Sequence, residues 1–383
     1  MSIFSKAVYP LVCPGLLAAV IAMTAIPARA QSDPFGSLYA PPPGSAAAPS
    51  SRTGVTGVTG AVGRSYAGSQ EEGFASLGQI GMLPRVVPAI PLQLKPWNPK
   101  VSAKRPRILV PTYALALVRT GKVSAFAGGA GSEMAPRRTS LTTTLVGVPD
   151  ALAEQLAQEA YEDLVIRLRA AGFDVVTPGE IAATPEAGRL ELVGTRARGI
   201  NGMSVYGPRS APLRTGHPYT SAVLSASKAA IALTDMSIET DALVLTPQLA
   251  LDYQQLESTG RRTYVGSAQI GARVWFDILS GSGANFMVGG SRKGLGSGPY
   301  GGFLMQGNHG STEPFGILYE VDDRSDSVAI SNALATAGLG SLYRQSQVYA
   351  IEVAPERYAA LVRAAFQGLN MSIVAELRKA RGL

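Results

Sequence analysis

The chain has two histidines, His217 and His309. Imidazole is the usual general base and metal ligand near neutral pH. Both histidines lie in Gly/Pro-rich stretches, and neither has a ligand partner three or four residues away on a helix, the spacing that sets two ligands on one helix face. A Ser-His-Asp hydrolase would need its serine on a sharp strand–helix elbow, in a Gly-x-Ser-x-Gly setting. Gly281-Ser282-Gly283 and Gly296-Ser297-Gly298 fall short of that pattern. An exported hydrolase built on the loops around His217 and His309 is therefore an alternative reading, and no residue is assigned as catalytic.

The run Gly289-Gly290-Ser291-Arg292-Lys293-Gly294-Leu295-Gly296-Ser297-Gly298 combines backbone amides with a lysine, as phosphate cradles do. The order is wrong for one: Lys293 precedes Gly294-Leu295, and Pro299 and Gly301-Gly302 prevent a following helix. A hairpin loop is the simpler expectation. Glu320, Asp322, Asp323 and Asp326 form an acidic group without calcium-loop spacing, and fit a solvated turn ahead of a helix from Ser327. Glu154, Glu159, Glu162 and Asp163 read as charges on the polar face of a helix. No cofactor and no metal is expected.

The elements that would hold these residues begin near Arg107. Arg107–Pro111 and Ala114–Val118 are short apolar runs that fit strands, with Pro111 at a bulge or an edge. Residues 119–147 are polar and Gly-rich and suggest a long loop or irregular hairpin. Leu152, Leu156, Ala160, Leu164, Val165 and Leu168 then recur at helical spacing. This predicts a helix over 149–171, with Asp150 at the positive end of its dipole and Gly172 as its stop. Phe173–Val176 follows as a strand, the return limb of an α/β unit. Residues 177–220 look irregular, and a helix is expected over 221–233.

Ala242–Leu245 reads as a strand that Leu249–Tyr253 continues. Ala268, Ile270, Ala272, Val274, Phe276 and Ile278 occupy every second position, which predicts a long antiparallel strand hairpinned with 242–257. Residues 280–310 are Gly-rich. Helices are expected over 327–337 and 355–366, the second stopped by Gly368, with a strand over 347–353 between them. Met371–Arg378 is ambiguous between strand and helix. The expected fold is α/β, with α+β as the variant. It has a mixed sheet, a long antiparallel hairpin and helices packed on it, in one domain over 107–383.

Ahead of this domain, Lys6, an apolar run from Val8 to Ile26 and the small residues Ala28 and Ala30 form a cleavable secretory signal over 1–30. Residues 31–106 are rich in Pro, Gly, Ser and Ala. Over 31–80 they suggest a disordered tether, while 81–106 is either more tether or a strap that docks on a partner through Leu92, Leu94 and Trp97. Cys13 is the only cysteine and leaves with the signal, which excludes disulfides, thiol catalysis and Cys-ligated metals in the mature chain. The formal charge of +7 is mildly basic, and dense basic blocks with aromatics are absent, so nucleic acid is not an expected partner. No transmembrane helix is expected in the mature chain. Membrane-inserted β-hairpins stay open, with 190–206 and 284–305 as candidates.

Leu168-Arg169-Ala170-Ala171-Gly172-Phe173-Asp174-Val175-Val176, the strand near Val244, and Ala272-Arg273-Val274-Trp275-Phe276-Asp277 before Leu279-Ser280-Gly281 form an ordered set. It resembles the periplasmic α/β domain of curli-secretion-channel-like proteins and, more loosely, the amino-terminal domain of the Tol system's β-propeller protein. Those channels are lipoproteins with a cysteine at the mature start, where this chain has Gln31. The resemblance implies a non-catalytic envelope protein, periplasmic or associated with the outer membrane. Such a protein assists secretion or surface assembly through contacts with envelope proteins or as a homo-oligomer. It carries over no functional residue. A periplasmic solute-binding protein is the remaining alternative, and it would need two similar lobes where the sequence suggests one.

Overall fold

The computed structural model describes residues 89–383, apart from 91, 128–136, 190–191, 200–202, 215–225, 260–268, 291–292, 295–297, 312–314 and 322–342. The calls on the signal, the tether, His217, Ser297, Asp322, Asp323, Asp326 and the helix at 327–337 lie outside the described residues.

In chain order the strands are β1 (Leu94–Trp97), β2 (Arg107–Leu109), β3 (Ala114–Leu117), β4 (Thr120–Ala127), β5 (Arg137–Val146), β6 (Asp174–Val176), β7 (Leu192–Gly194), β8 (Arg196–Arg198), β9 (Ser204–Tyr206), β10 (Leu213–Arg214), β11 (Ala242–Thr259), β12 (Gln269–Ile278), β13 (Gly283–Met287), β14 (Tyr300–Met305), β15 (His309–Ser311), β16 (Gly316–Val321) and β17 (Tyr343–Val353). The α-helices are α1 (Asp150–Ala170), α2 (Pro178–Ala182), α3 (Ala226–Glu239) and α4 (Pro355–Arg381), and short 3-10 turns cover Pro99–Ala103 and Pro185–Arg189. No described helix is long and apolar enough to cross a membrane.

A mixed sheet runs β1-β14-β13-β11-β3-β9-β8, and a separate four-stranded sheet runs β16-β17-β5-β4. The expected α/β architecture with a mixed sheet and a long antiparallel hairpin is present: β11 pairs antiparallel with β12 and β13 and parallel with β2 and β3. Leu109 lies opposite Val244 and Ala114 opposite Gln248, so β2–β3 carries one residue more than the facing stretch of β11. That extra residue is a bulge, and Pro111 sits inside it, where a missing N–H breaks no ladder bond.

The alternation of β11 assigns its two faces. Leu243, Leu245, Leu249, Leu251 and Tyr253 enter the main core with α1 and α4, whereas Val244 packs with α3 in a second core. In α1 the buried residues Leu156, Ala160, Leu164 and Leu168 repeat at the helical period and form the inward stripe. Its stop lies where expected, with Gly172 at φ +84°. The four acids assigned to a solvated face divide. Glu159 pairs with Arg363 of α4 at 2.7 Å, and Asp163 accepts from Arg167 and from Asn370 of α4, so both work between elements. Glu154 accepts from Thr195 at 3.2 Å, and Glu162 stays exposed.

Several expectations are corrected. Within 119–147, β4 and β5 pair in an unbroken antiparallel ladder, Thr120 facing Thr144 through to Ala127 facing Arg137. The Gly-rich 280–310 holds β13 and β14. Within the candidate hairpin 284–305, β13 pairs with β11 and β14 with β1. Likewise β8–β9 of the other candidate continues the sheet from β3.

Gly368 does not stop its helix. Here α4 runs on to Arg381, Met371–Arg378 is helical, and Gly382 ends it at φ +72°. The glycine serves another need, since the Ile90 carbonyl passes through the space a Cβ on Gly368 would fill. Ile90 N–H donates to the Ala364 carbonyl at 3.0 Å, and Ser372 Oγ donates to the Leu92 carbonyl at 2.8 Å. The segment at 89–106 thus lies along α4 and enters the sheet as β1, ahead of the boundary expected at Arg107. Leu92 is buried in the main core, and Trp97 stands edge-on to Tyr300. The strap expected to dock through Leu92, Leu94 and Trp97 docks on this chain itself.

Candidate functional site

The root of the β11–β12 ribbon gathers the most unusual chemistry among the described residues. Asp252 and Asp277 lie directly opposite each other on β11 and β12. Antiparallel partners share a face with their Cβ atoms about 5 Å apart. Asp277 is 4% exposed, and its Oδ2 accepts from Asn308 Nδ2 at 2.8 Å. Asn308 is itself held, its Oδ1 accepting from Ser280 N–H at 2.8 Å. Asp252 is partly buried, and its Oδ1 accepts from Tyr253 N–H at 2.7 Å. Burial, helped by the nearby Asp277 charge and opposed by backbone hydrogen bonds from Tyr253 and Gln254, pushes the Asp252 carboxyl up to about 7.

The register shifts between Asp252 and Gln254. One residue of β11, Tyr253, faces two of β12, Trp275 and Phe276, so the extra residue of this bulge lies on β12. Tyr253 Oη donates to the Thr143 carbonyl of β5 at 2.9 Å, and Thr143 Oγ1 donates to Gln254 Oε1. Burial drives the Tyr253 phenol well above its ordinary range. Tyr253 and Gln254 thereby join the two sheets at one point.

A second polar patch lies on the same strand. Thr246, Gln248 and Asn285 are buried, and Thr246 pairs with Asn285 across β11–β13. Thr246 Oγ1 donates to the Asn285 carbonyl at 3.2 Å, while both ends of the Asn285 amide and Gln248 Oε1 have no hydrogen-bond partner among the described residues.

The residues singled out from sequence do not converge here. His309 is exposed on β15 opposite Ile278, whereas Asp277 faces Gly310, so the imidazole shares the face of Ile278 and not that of the carboxylates. Ser282 is fully buried, donating to the Leu279 carbonyl at 2.8 Å and accepting from Ala250 N–H at 3.1 Å. It closes a turn. Lys293 bridges Glu186 and Glu239, and Gly294 N–H donates to Asp235, which is 1% exposed, at 2.8 Å. Carboxylates already occupy the groups that a phosphate would need, so this loop is a clip onto α3. Asp150 at the start of α1 accepts from Tyr206 Oη at 2.5 Å and pairs with Arg119 and Arg196, adding side-chain partners to the expected helix dipole. Glu320 lies in β16. Among the described residues no group of three or more His, Cys, Asp or Glu is placed to hold a metal ion.

Sequence reasoning placed Asp277 among the polar positions of an alternating strand and missed its pairing with Asp252. The alternation supplies a face but not a register, and an extra residue of β12 opposite Tyr253 moves the register by one. Asn308 and Thr143 gave no sequence signal, since each comes from a distant strand or turn. Comparison with models of protein families, with curated proteins and with solved structures finds no match for this chain.

Proposed function

We propose that this chain is a non-catalytic, exported envelope protein that assists secretion or surface assembly through protein–protein contacts, with the β11–β12 ribbon as a contact element. The observation that carries the reading is the ribbon itself. From Asp252 to Thr259, β11 has only β12 as a ladder partner among the described residues, and β12 from Gln269 to Trp275 has only β11. A two-stranded ribbon alone is marginal in water. An outer strand edge with no ladder partner is a template for further pairing. The face assignment of His309, away from the Asp252–Asp277 pair, favours this reading over a hydrolase built on that histidine.

The test uses the absence of cysteine after the signal. A single Ser258→Cys variant of the chain beginning at Gln31 should form disulfide-linked multimers under mild oxidation, and the unmodified chain should sediment as an oligomer whose fraction rises with concentration. A tagged chain should fractionate with the envelope. A strictly monomeric species that gives no cross-link, recovered from the cell interior, would overturn the proposal.

A further inference from the structure

We propose that the polar row crossing β11, β13, β14 and β1 is a binding site for a neutral sugar, with Asn285 and Gln248 holding its hydroxyls and Trp97 packing on its ring. The register builds the row. Thr246 lies opposite Asn285, Asn285 opposite Gly302 and Gly302 opposite Trp97, so these positions share one face of the sheet. Gln248 is the diagonal neighbour of Asn285 on that face. Gly302 brings no side chain, and its neighbours use the space. Trp97 Nε1 stands 2.3 Å and Asn285 Oδ1 3.1 Å from the point that a Cβ on Gly302 would occupy. The indole N–H and the amide thus lie over the same glycine.

Asn285 is 9% exposed and Gln248 5%, and burying amide ends that make no hydrogen bond opposes folding. The ends without a partner among the described residues are one donor, Asn285 Nδ2, and two acceptors, Asn285 Oδ1 and Gln248 Oε1. Such a set selects its ligand. A phosphate wants donors, and a metal ion wants acceptors. Hydroxyls on adjacent carbons supply both: one O–H donates to Oδ1 while the neighbouring oxygen accepts from Nδ2. No residue of the row carries a charge, which suits a neutral ring. Trp97 is partly exposed, stands edge-on to Tyr300 at 5.1 Å, and lies on β1, whose one ladder partner among the described residues is β14. The row reaches the surface at this edge. There the indole supplies a flat apolar face for the C–H side of a sugar.

The site lies within one chain, and its failure would leave the assembly reading standing. Trp97 and Trp275 are the two tryptophans of the sequence, so Trp275→Phe in the whole chain leaves Trp97 as the sole indole reporter. The methyl glycosides of glucose, galactose, mannose and N-acetylglucosamine are titrated into that chain. At least one should shift the Trp97 emission saturably in the millimolar range, while sodium phosphate at the same concentration leaves it unchanged. Adding Asn285→Val removes the two-ended amide without breaking a side-chain hydrogen bond of the free protein. It should weaken the sugar on the order of tenfold or more, with the urea midpoint kept or raised. No saturable shift from any of the four glycosides, an equal shift with phosphate, or undiminished affinity in the Asn285→Val chain would overturn the proposal.

Discussion

The two faces of β11 make different materials from one strand. Leu243, Leu245, Leu249, Leu251 and Tyr253 are at most 1% exposed and packed with α1 and α4. On the opposite face Thr246 and Gln248 lie between two small apolar clusters, one around α3 and one around Ala114, Ala116 and Leu213, and Asp252 closes the row. The first face gains its free energy from area removed from water, about 25 cal/mol per Å². The second buries polar atoms whose hydrogen bonds are incomplete, as the Asn285 amide and Gln248 Oε1 show. One face is built for stability. The other tolerates groups that weaken the fold, and such groups collect at sites that respond to something.

Four variants would sharpen or break this contrast. Leu249→Ala removes a fully buried side chain from the α1/α4 face and should lower unfolding free energy by about 2–5 kcal/mol in urea denaturation. Gly368→Val sets a branched side chain against the Ile90 carbonyl, which cannot yield without lifting the strap from α4. A loss of about 3 kcal/mol is expected, with new protease cleavage ahead of β1.

Asp252→Asn should act in the opposite direction. The folded carboxyl lies near 7, above its ordinary 3.8. Between those values the folded chain keeps a proton that the unfolded chain has lost. The contribution of this group to stability is therefore largest at low pH, falls as pH rises through about 4 to 7, and stays low above that. The variant should be more stable than the unmodified chain at pH 8, by about 2 kcal/mol after allowing for weaker acceptance of the Tyr253 and Gln254 amides. The gain should vanish at pH 4, and thermal melts at the two pH values read it directly.

Asn285→Val replaces an amide that has no partner by an apolar group of similar size. It should be neutral or stabilising by about 1 kcal/mol. A loss comparable to that of Leu249→Ala would show that the polar face carries as much of the fold as the apolar one, and the contrast would fail.

Local pattern made much of this fold readable. The stripe of α1, the stop at Gly172, the alternation of β12 and the bulge at Pro111 follow from period, chirality and the missing proline N–H, all properties of neighbouring residues. Gly368 shows the limit of that logic. Its composition signalled a helix end, but the carbonyl of a residue 278 positions earlier required the glycine. β13 and β14 lie in a Gly-rich stretch that hides their aromatic residues Phe286, Tyr300 and Phe303, and pairing on both sides makes them sheet.

The sequence by itself determined the inward stripe of α1, its stop at Gly172 and the strand at β12, because those depend on side chains a few residues apart. Only the tertiary structure decided that Asp252 meets Asp277, that Asn308 holds one of them, and that Thr143 meets Tyr253 and Gln254. Register and long-range contact depend on the whole packed sheet, and no local spacing encodes them.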